Sequence, residues 1–266
     1  MDGKKLLTMT SLVALLAFGC GGQELREGQP APTADCQCED REARADGAPN
    51  EGVPLKVAQR PAEPDEASTA PLTLSAGGTT KLPPPRTDRG RPLMEVLRER
   101  RSSRAFSDKQ IPAQLLSDLL WATAGVNRPE SGKRTAPSAR NRQEIEVYVT
   151  LPEALLLYEP TAHALKTVAP RDLRAVTGKQ PFAATAPVNL VFVADVTKMG
   201  ETSDEARARY SGADAAYMSQ NTYLFCASEG LATVARGWID REALAEAMGL
   251  GEDRIIVLAQ TVGYPE

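Results

Sequence analysis

The stretch that most limits the fold is Val188-Asn189-Leu190-Val191-Phe192-Val193-Ala194-Asp195-Val196. A run so nearly apolar offers no polar face to water, so it reads as a central strand covered on both sides. Strand patterns also occupy residues 145–150, 232–236 and 254–262. Residues 155–158 and 164–168 flank Glu159-Pro160-Thr161-Ala162 and read as a hairpin. Residues 112–124 are helical, with Leu115, Leu116, Leu119, Leu120 and Trp121 on one face. Further helices fall at 171–176, 204–229 and 241–248. Together these elements predict an α+β sandwich, with helices packed on one mixed central sheet.

The N-terminal third is unlike the rest. Residues 1–20 carry Lys4 and Lys5, then an apolar run too short to span a bilayer, then Ala17-Phe18-Gly19-Cys20. That ending reads as a lipoprotein signal peptide cut before a lipidated Cys20, with an ordinary signal peptide as the alternative. Residues 21–90 are rich in Gly, Pro, Ala and acidic residues and almost lack aromatics. Such a composition predicts a disordered spacer between lipid and domain. Residues 91–266 are then the folded domain. Cys36 and Cys38 lie in the spacer, where a disulfide ring across one intervening residue would be tight and a metal site would need further ligands, the one histidine being far away in sequence. Cys226 falls in an apolar helical pattern and reads as a buried thiol.

One basic cluster stands out in the domain: Arg100-Arg101-Ser102-Ser103-Arg104-Ala105-Phe106, just after the helical pattern of Leu93, Val96 and Leu97. Guanidinium forks suit phosphate oxygens, and a serine adds a short donor. Arginines at a helix end also cover its last carbonyls, so both readings stand. A second segment, Pro137-Ser138-Ala139-Arg140-Asn141-Arg142-Gln143, leads into the strand at 145–150. The third is Gly230-Leu231-Ala232-Thr233, followed by Gly263-Tyr264-Pro265. The helix at 204–229 is full of small residues, which allow close approach of another helix or of a flat ring. Tyr217 and Tyr223 on that helix are candidate neighbours of such a ring, with core packing the favoured reading.

In this order the three segments resemble the nitroreductase family of flavin enzymes, and within it the SagB/ThcOx-type dehydrogenases. The resemblance covers residues 93–265. It implies a nitroreductase-like α-β-α sandwich, FMN as cofactor, and a homodimer with the flavin at the interface. Arg100, Ser102 and Arg104 match the family's phosphate and ribityl contacts, with Arg101 contributing mainly through its backbone. Pro137, Ser138 and Asn141 match the segment beside the flavin ring, Asn141 as a donor to a polar ring edge, and Gln143 matches more weakly. Arg236-Gly237 falls near the loop whose backbone faces the reactive nitrogen. The implied activity is hydride transfer between an electron donor and a small organic substrate in alternating, ping-pong half-reactions. The azoline-oxidising members' Lys-Tyr pair finds no match here, so their substrate is not carried over.

Composition narrows the alternatives. The chain has one histidine, His163, placed in the predicted hairpin, which leaves little room for Ser-His-Asp or Cys-His catalysis. No metal-ligating cluster, P-loop or dinucleotide fingerprint is present in the sequence. A net charge of −4 without a basic stripe argues against nucleic acid. Chemistry borrowed from a cofactor is consistent with this profile, and so is a lipid-anchored flavin or small-molecule carrier without turnover. A chain anchored in the bacterial envelope, facing the periplasm or exterior, would not meet NAD(P)H, the family's usual donor. A quinol, a protein carrier, or the organic substrate with oxygen as acceptor is expected instead.

Overall fold

A computed structural model describes residues 69–76 and 78–266. The targeting segment, Cys20, Cys36, Cys38 and most of the expected spacer lie outside the described residues. In chain order the elements are β1 (Thr79–Lys81), α1 (Leu93–Glu99), α2 (Ala113–Ala124), β2 (Val126–Arg128), β3 (Lys133–Arg134), β4 (Ile145–Thr150), β5 (Leu155–Glu159), β6 (Ala164–Ala169), α3 (Phe182–Thr185), β7 (Val188–Asp195), α4 (Asp204–Glu229), β8 (Ala232–Arg236), α5 (Arg241–Met248) and β9 (Arg254–Gly263). Seven strands form one sheet in the order β1-β6-β5-β4-β7-β9-β8, and β2 pairs with β3 separately.

All eight residues of β7 are buried. The strand sits between β4, from Ile145 opposite Ala194 to Thr150 opposite Asn189, and β9, from Val188 opposite Val262 to Asp195 opposite Arg254. Every ladder of the sheet is antiparallel, where a mixed sheet was expected. A nearly unbroken apolar strand arises here in an antiparallel sheet because both faces are covered. Leu190, Phe192 and Ala194 pack with Leu116, Leu119 and Leu120 of α2 and with Ala215, Met218 and Cys226 of α4. Val191 and Val193 pack on the opposite face with Leu244 and Met248 of α5. Burial of each such leucine contributes roughly 1.5–3 kcal/mol.

Local signals set the helix limits. Ser203 Oγ accepts from Ala206 N to start α4, and Gly230, at φ 73°, ends it by donating from N to Cys226 O. Asp240 caps α5 in the same way, through Ala243 N. α2 begins after Pro112 and has no side-chain cap. Small residues let α4 lie close to α2, where Thr123 Oγ1 and Thr222 Oγ1 meet at 2.8 Å. Cys226 is fully buried with a free thiol.

The expected boundary at residue 90 moves toward the N-terminus. β1 extends the sheet beyond β6, Leu82 is buried, and Leu72 and Leu74 pack against the larger core. Arg86 grips Asp118 of α2 through Nε at 2.9 Å and Nη2 at 2.7 Å, and its backbone N donates to Asp118 Oδ1. Composition hides this, because these residues add an edge strand to a core built elsewhere.

The single histidine helps hold that segment. His163 Nε2 lies 2.7 Å from Ser117 Oγ and 3.1 Å from Pro83 O, and Tyr158 OH donates to Nδ1 at 2.9 Å. A neutral ring with its hydrogen on Nε2 satisfies these partners. Burial lowers its proton affinity, against smaller opposing effects of Pro83 O and Asp118. Because the folded ring resists protonation, the unfolded chain binds more protons once pH falls below the ordinary histidine value of about 6.5, and stability is lost in that direction. Thermal unfolding followed across that range should show the native chain losing stability relative to His163→Gln as pH falls. Parallel curves would remove His163 from this role.

Candidate functional site

The basic segment runs extended between β8 and the chain end. Ser103 N donates to Thr233 O at 2.9 Å and Ser107 N to Tyr264 O at 3.0 Å. Phe106 is buried, its ring centroid 5.4 Å from that of Phe182, beside Ala186, Ala232 and Val234. A Cβ on Gly263 would sit 2.9 Å from Pro187 Cδ and 3.2 Å from Phe106 Cδ1. The glycine of the Gly-Tyr-Pro motif is therefore needed where the two segments meet. Extended backbone alternates its side chains, which sets Arg100, Ser102 and Arg104 apart from Arg101 and Ser103.

Tyr223 of α4 organises this row. Its OH lies 2.8 Å from Ser102 Oγ and accepts from Ala235 N at 2.8 Å, and the Arg100 guanidinium sits 5.1 Å from its ring centre. Neighbouring arginines are neutralised: Arg86 by Asp118, Arg89 by Glu229, and Arg91 by Glu95 and Glu99. Among the described residues Arg100, Arg101 and Arg104 form no ion pair. Arg101 and Ser103 instead line a pocket of about 140 Å³ with Tyr223, Thr233 and Pro265.

The second segment is tightly turned. Ser138 Oγ accepts from Gln143 N at 3.0 Å, and Asn141 N donates to Ser138 O at 2.9 Å. Arg140, Asn141 and Gln143 hold φ of 56°, 54° and 52°, each costing a non-glycine residue on the order of 1–2 kcal/mol. Gln143 Nε2 donates to Gly132 O and to Asn141 Oδ1, at 3.0 and 3.2 Å. Among the described residues the Asn141 amide nitrogen has no acceptor, and this side chain is exposed. Pro137 is exposed beside it. From α4, Asp214 Oδ2 accepts Ala139 N at 2.9 Å and fastens the segment from behind.

At the third position side chain and backbone part ways. The Arg236 side chain is buried and committed to the fold: it donates to Thr261 Oγ1, Thr177 O, Thr177 Oγ1 and Asn189 Oδ1 at 2.9, 2.8, 3.2 and 2.9 Å. Burial lowers its pKa to about 10, so it stays charged at neutral pH. A Cβ on Gly178 would lie 1.8 Å from Arg236 Nη1, so only glycine lets this guanidinium through. Gly237 is exposed and leaves only its backbone at the expected place.

A family model, described as the nitroreductase family, matches residues 97–264, from the end of α1 through Gly263-Tyr264. The chain belongs to the nitroreductase family. A Ralstonia eutropha protein whose crystal structure is described as a nitroreductase is 44% identical; the match has a TM-score of 0.69 and covers 74% of this chain and 94% of that one. A Methanocaldococcus jannaschii protein named as a nitroreductase is 28% identical over 176 residues, 62% of this chain and 88% of its own. The fold is also shared with a microcin synthetase complex of E. coli, at a TM-score of 0.55 and 20% identity, over 60% of this chain and 67% of that one.

In this nitroreductase the first two candidate groups are fastened to different residues of α4, the arginine row to Tyr223 and the turned segment to Asp214. Asp214 and Tyr223 are nine positions apart in sequence. On a helix that is two and a half turns, or about 13 Å along the axis with the side chains on opposite sides. The arginine row and the Asn141 segment thus flank α4. Sequence reasoning singled out Tyr223 but favoured core packing for it, where its hydroxyl instead binds Ser102 and Ala235, and it missed Asp214 and Glu144 behind the turned segment. Tyr217 is also not core, being 50% exposed. Helical periodicity gave no sign of these roles, because both tyrosines sit among apolar and small neighbours in the pattern.

Tyr223→Phe should leave Ala235 N and Ser102 Oγ without this partner and lower stability by roughly 1–2 kcal/mol, measured by denaturant unfolding. In the same measurement Arg236→Met should cost on the order of 3 kcal/mol, since Thr177 O and Asn189 Oδ1 lose a charged donor. An unchanged midpoint in either variant would contradict the corresponding bond set.

Proposed function

We propose that this chain is an FMN-dependent oxidoreductase, nearest to the SagB/ThcOx-type dehydrogenases, that moves hydride between an electron donor and a small organic substrate. The observation that carries the reading is the row of Arg100, Ser102 and Arg104, braced by Tyr223 and free of acidic partners among the described residues. The family generally binds FMN, and the row fits its phosphate: two guanidinium groups supply charge-assisted donors and Ser102 a short hydroxyl. Asn141 offers its unused amide to a polar edge of the ring. FMN, when bound, supplies reversible uptake of a hydride, which divides turnover into the two half-reactions of a ping-pong scheme.

A homodimer is part of the reading. Because the two groups flank α4, one protomer's arginine row would have to face the partner's Asn141 segment to enclose a single flavin. Exposed Tyr210 and Tyr217 on α4 and Leu93, Met94 and Leu97 on α1 supply apolar surface for such an interface. Placement in the bacterial envelope through Cys20 rests on the sequence alone. With it goes a donor other than NAD(P)H, a quinol or a protein carrier.

A visible spectrum of the purified chain with FMN tests the proposal directly. Two flavin bands that survive gel filtration are expected, bleached by a quinol-type donor faster than by NADPH. A colourless protein would overturn the flavin reading, and a bound flavin that no donor reduces would favour a carrier. Arg100→Ala together with Arg104→Ala should weaken FMN binding by several kcal/mol, at roughly 1.5–3 kcal/mol per charge-assisted contact. Unchanged affinity in the folded double variant would show that other residues hold the phosphate.

A further inference from the structure

Glu144 stands between Gln143, the last left-handed residue of the turned segment, and Ile145, the first of β4. Its backbone is fixed, with Glu144 O accepting from Asp195 N at 2.9 Å. The residue is fully buried, and neither side-chain oxygen has a hydrogen-bond donor. A buried carboxylate without a donor is among the costliest groups a protein can hold.

The charged groups around it do not relieve that cost. Its own backbone N–H favours the anion, Arg142 of the same segment does so more weakly, and Arg134 of β3 senses it without an ion pair. Facing it from α4 is Asp214, itself 2% exposed, whose carboxyl is within hydrogen-bonding reach. Two carboxylates have no hydrogen to share and repel each other. One proton resolves the arrangement: a neutral Glu144 donates to Asp214, and Asp214 still accepts Ala139 N through Oδ2. Burial first, and Asp214 second, push the Glu144 pKa up to about 7.

We propose that Glu144 and Asp214 share one proton, and that this neutralised pair is the brace that keeps segment 138–143, with Asn141 at its exposed tip, in its left-handed conformation at the flavin site. Both are positioning residues. Loss of the proton to solvent puts a second negative charge into the seam between the segment and α4. Asp214 is then driven away from Ala139 N, and the strained turn loses its rear anchor. The positioning role rests on the flavin-site reading. The shared proton does not.

Two measurements on the full chain separate these parts. Infrared difference spectra without flavin should show the carbonyl stretch of a buried carboxylic acid near neutral pH, absent from Glu144→Gln. FMN affinity, read by quenching of flavin fluorescence, should weaken about tenfold from about pH 6 to about pH 9 in the native chain. Glu144→Gln keeps a neutral donor toward Asp214 and should lose most of that pH dependence, while flavin's own titration is common to both proteins. Asp214→Asn removes the neighbouring charge and should move the native transition to lower pH. A missing carboxylic acid band overturns the shared proton even where FMN binds. The band together with flat FMN affinity overturns the positioning role. FMN that binds to no variant at any pH overturns the role along with the flavin reading, while the band still judges the proton.

Discussion

The structure depends on the complete burial of β7. A strand with no solvated face needs partners at both edges and layers on both sides, and β4, β9, α2, α4 and α5 meet that demand. The polar residues of β7 lie near its ends and are fully engaged. Asn189 joins Arg236, Thr261 and Ala183 O near one end, and Asp195 pairs with Arg254 at the other. This burial is why Arg236 is a fold residue. Its guanidinium supplies donors to Asn189 and Thr177 in a layer that water does not reach, and Gly178 is shaped around it.

α4 both builds the core and contacts the two candidate segments. Its buried stripe of Ser211, Asp214, Ala215, Met218, Ser219, Thr222 and Cys226 faces the sheet and α2. At the edges of that stripe Asp214 reaches the turned segment and Tyr223 reaches the arginine row. Small residues permit this double duty because they bring the helix axis close to its neighbours. A polar side chain at the stripe's edge can then touch a backbone amide of a flanking segment.

Much of this was legible in the sequence, and the failures share a physical cause. Period and apolar pattern located α2, α4, α5, β7 and the β5–β6 hairpin, because local backbone preference and burial agree in those segments. The basic cluster was visible as three arginines in five residues, and what the fold adds is that Arg100 and Arg104 have no ion-pair partner among the described residues, while Arg101 lies near Glu99. Residues 69–90 were read as spacer because their apolar groups are few. Those of them that the structure describes are nevertheless held by a sheet edge, Asp118 and His163, all distant in sequence. Strand direction, the turning inward of Arg236 and the pairing of Glu144 with Asp214 likewise arise from contacts between remote segments, which periodicity does not encode.

Strain and burial are unevenly distributed, and that unevenness itself argues for a site. In segment 138–144 three non-glycine residues take left-handed backbone, and a fully buried carboxyl lies directly behind them. Neither feature improves the fold: a glycine would relax the first and an apolar side chain the second. On the other flank of α4, arginines remain unpaired while their neighbours take the available acids. Costs of both kinds, unrelieved within the protomer and placed along one helix, are what a surface prepared for a polar, anionic ligand would show. Both segments lie inside the range over which the chain matches its family.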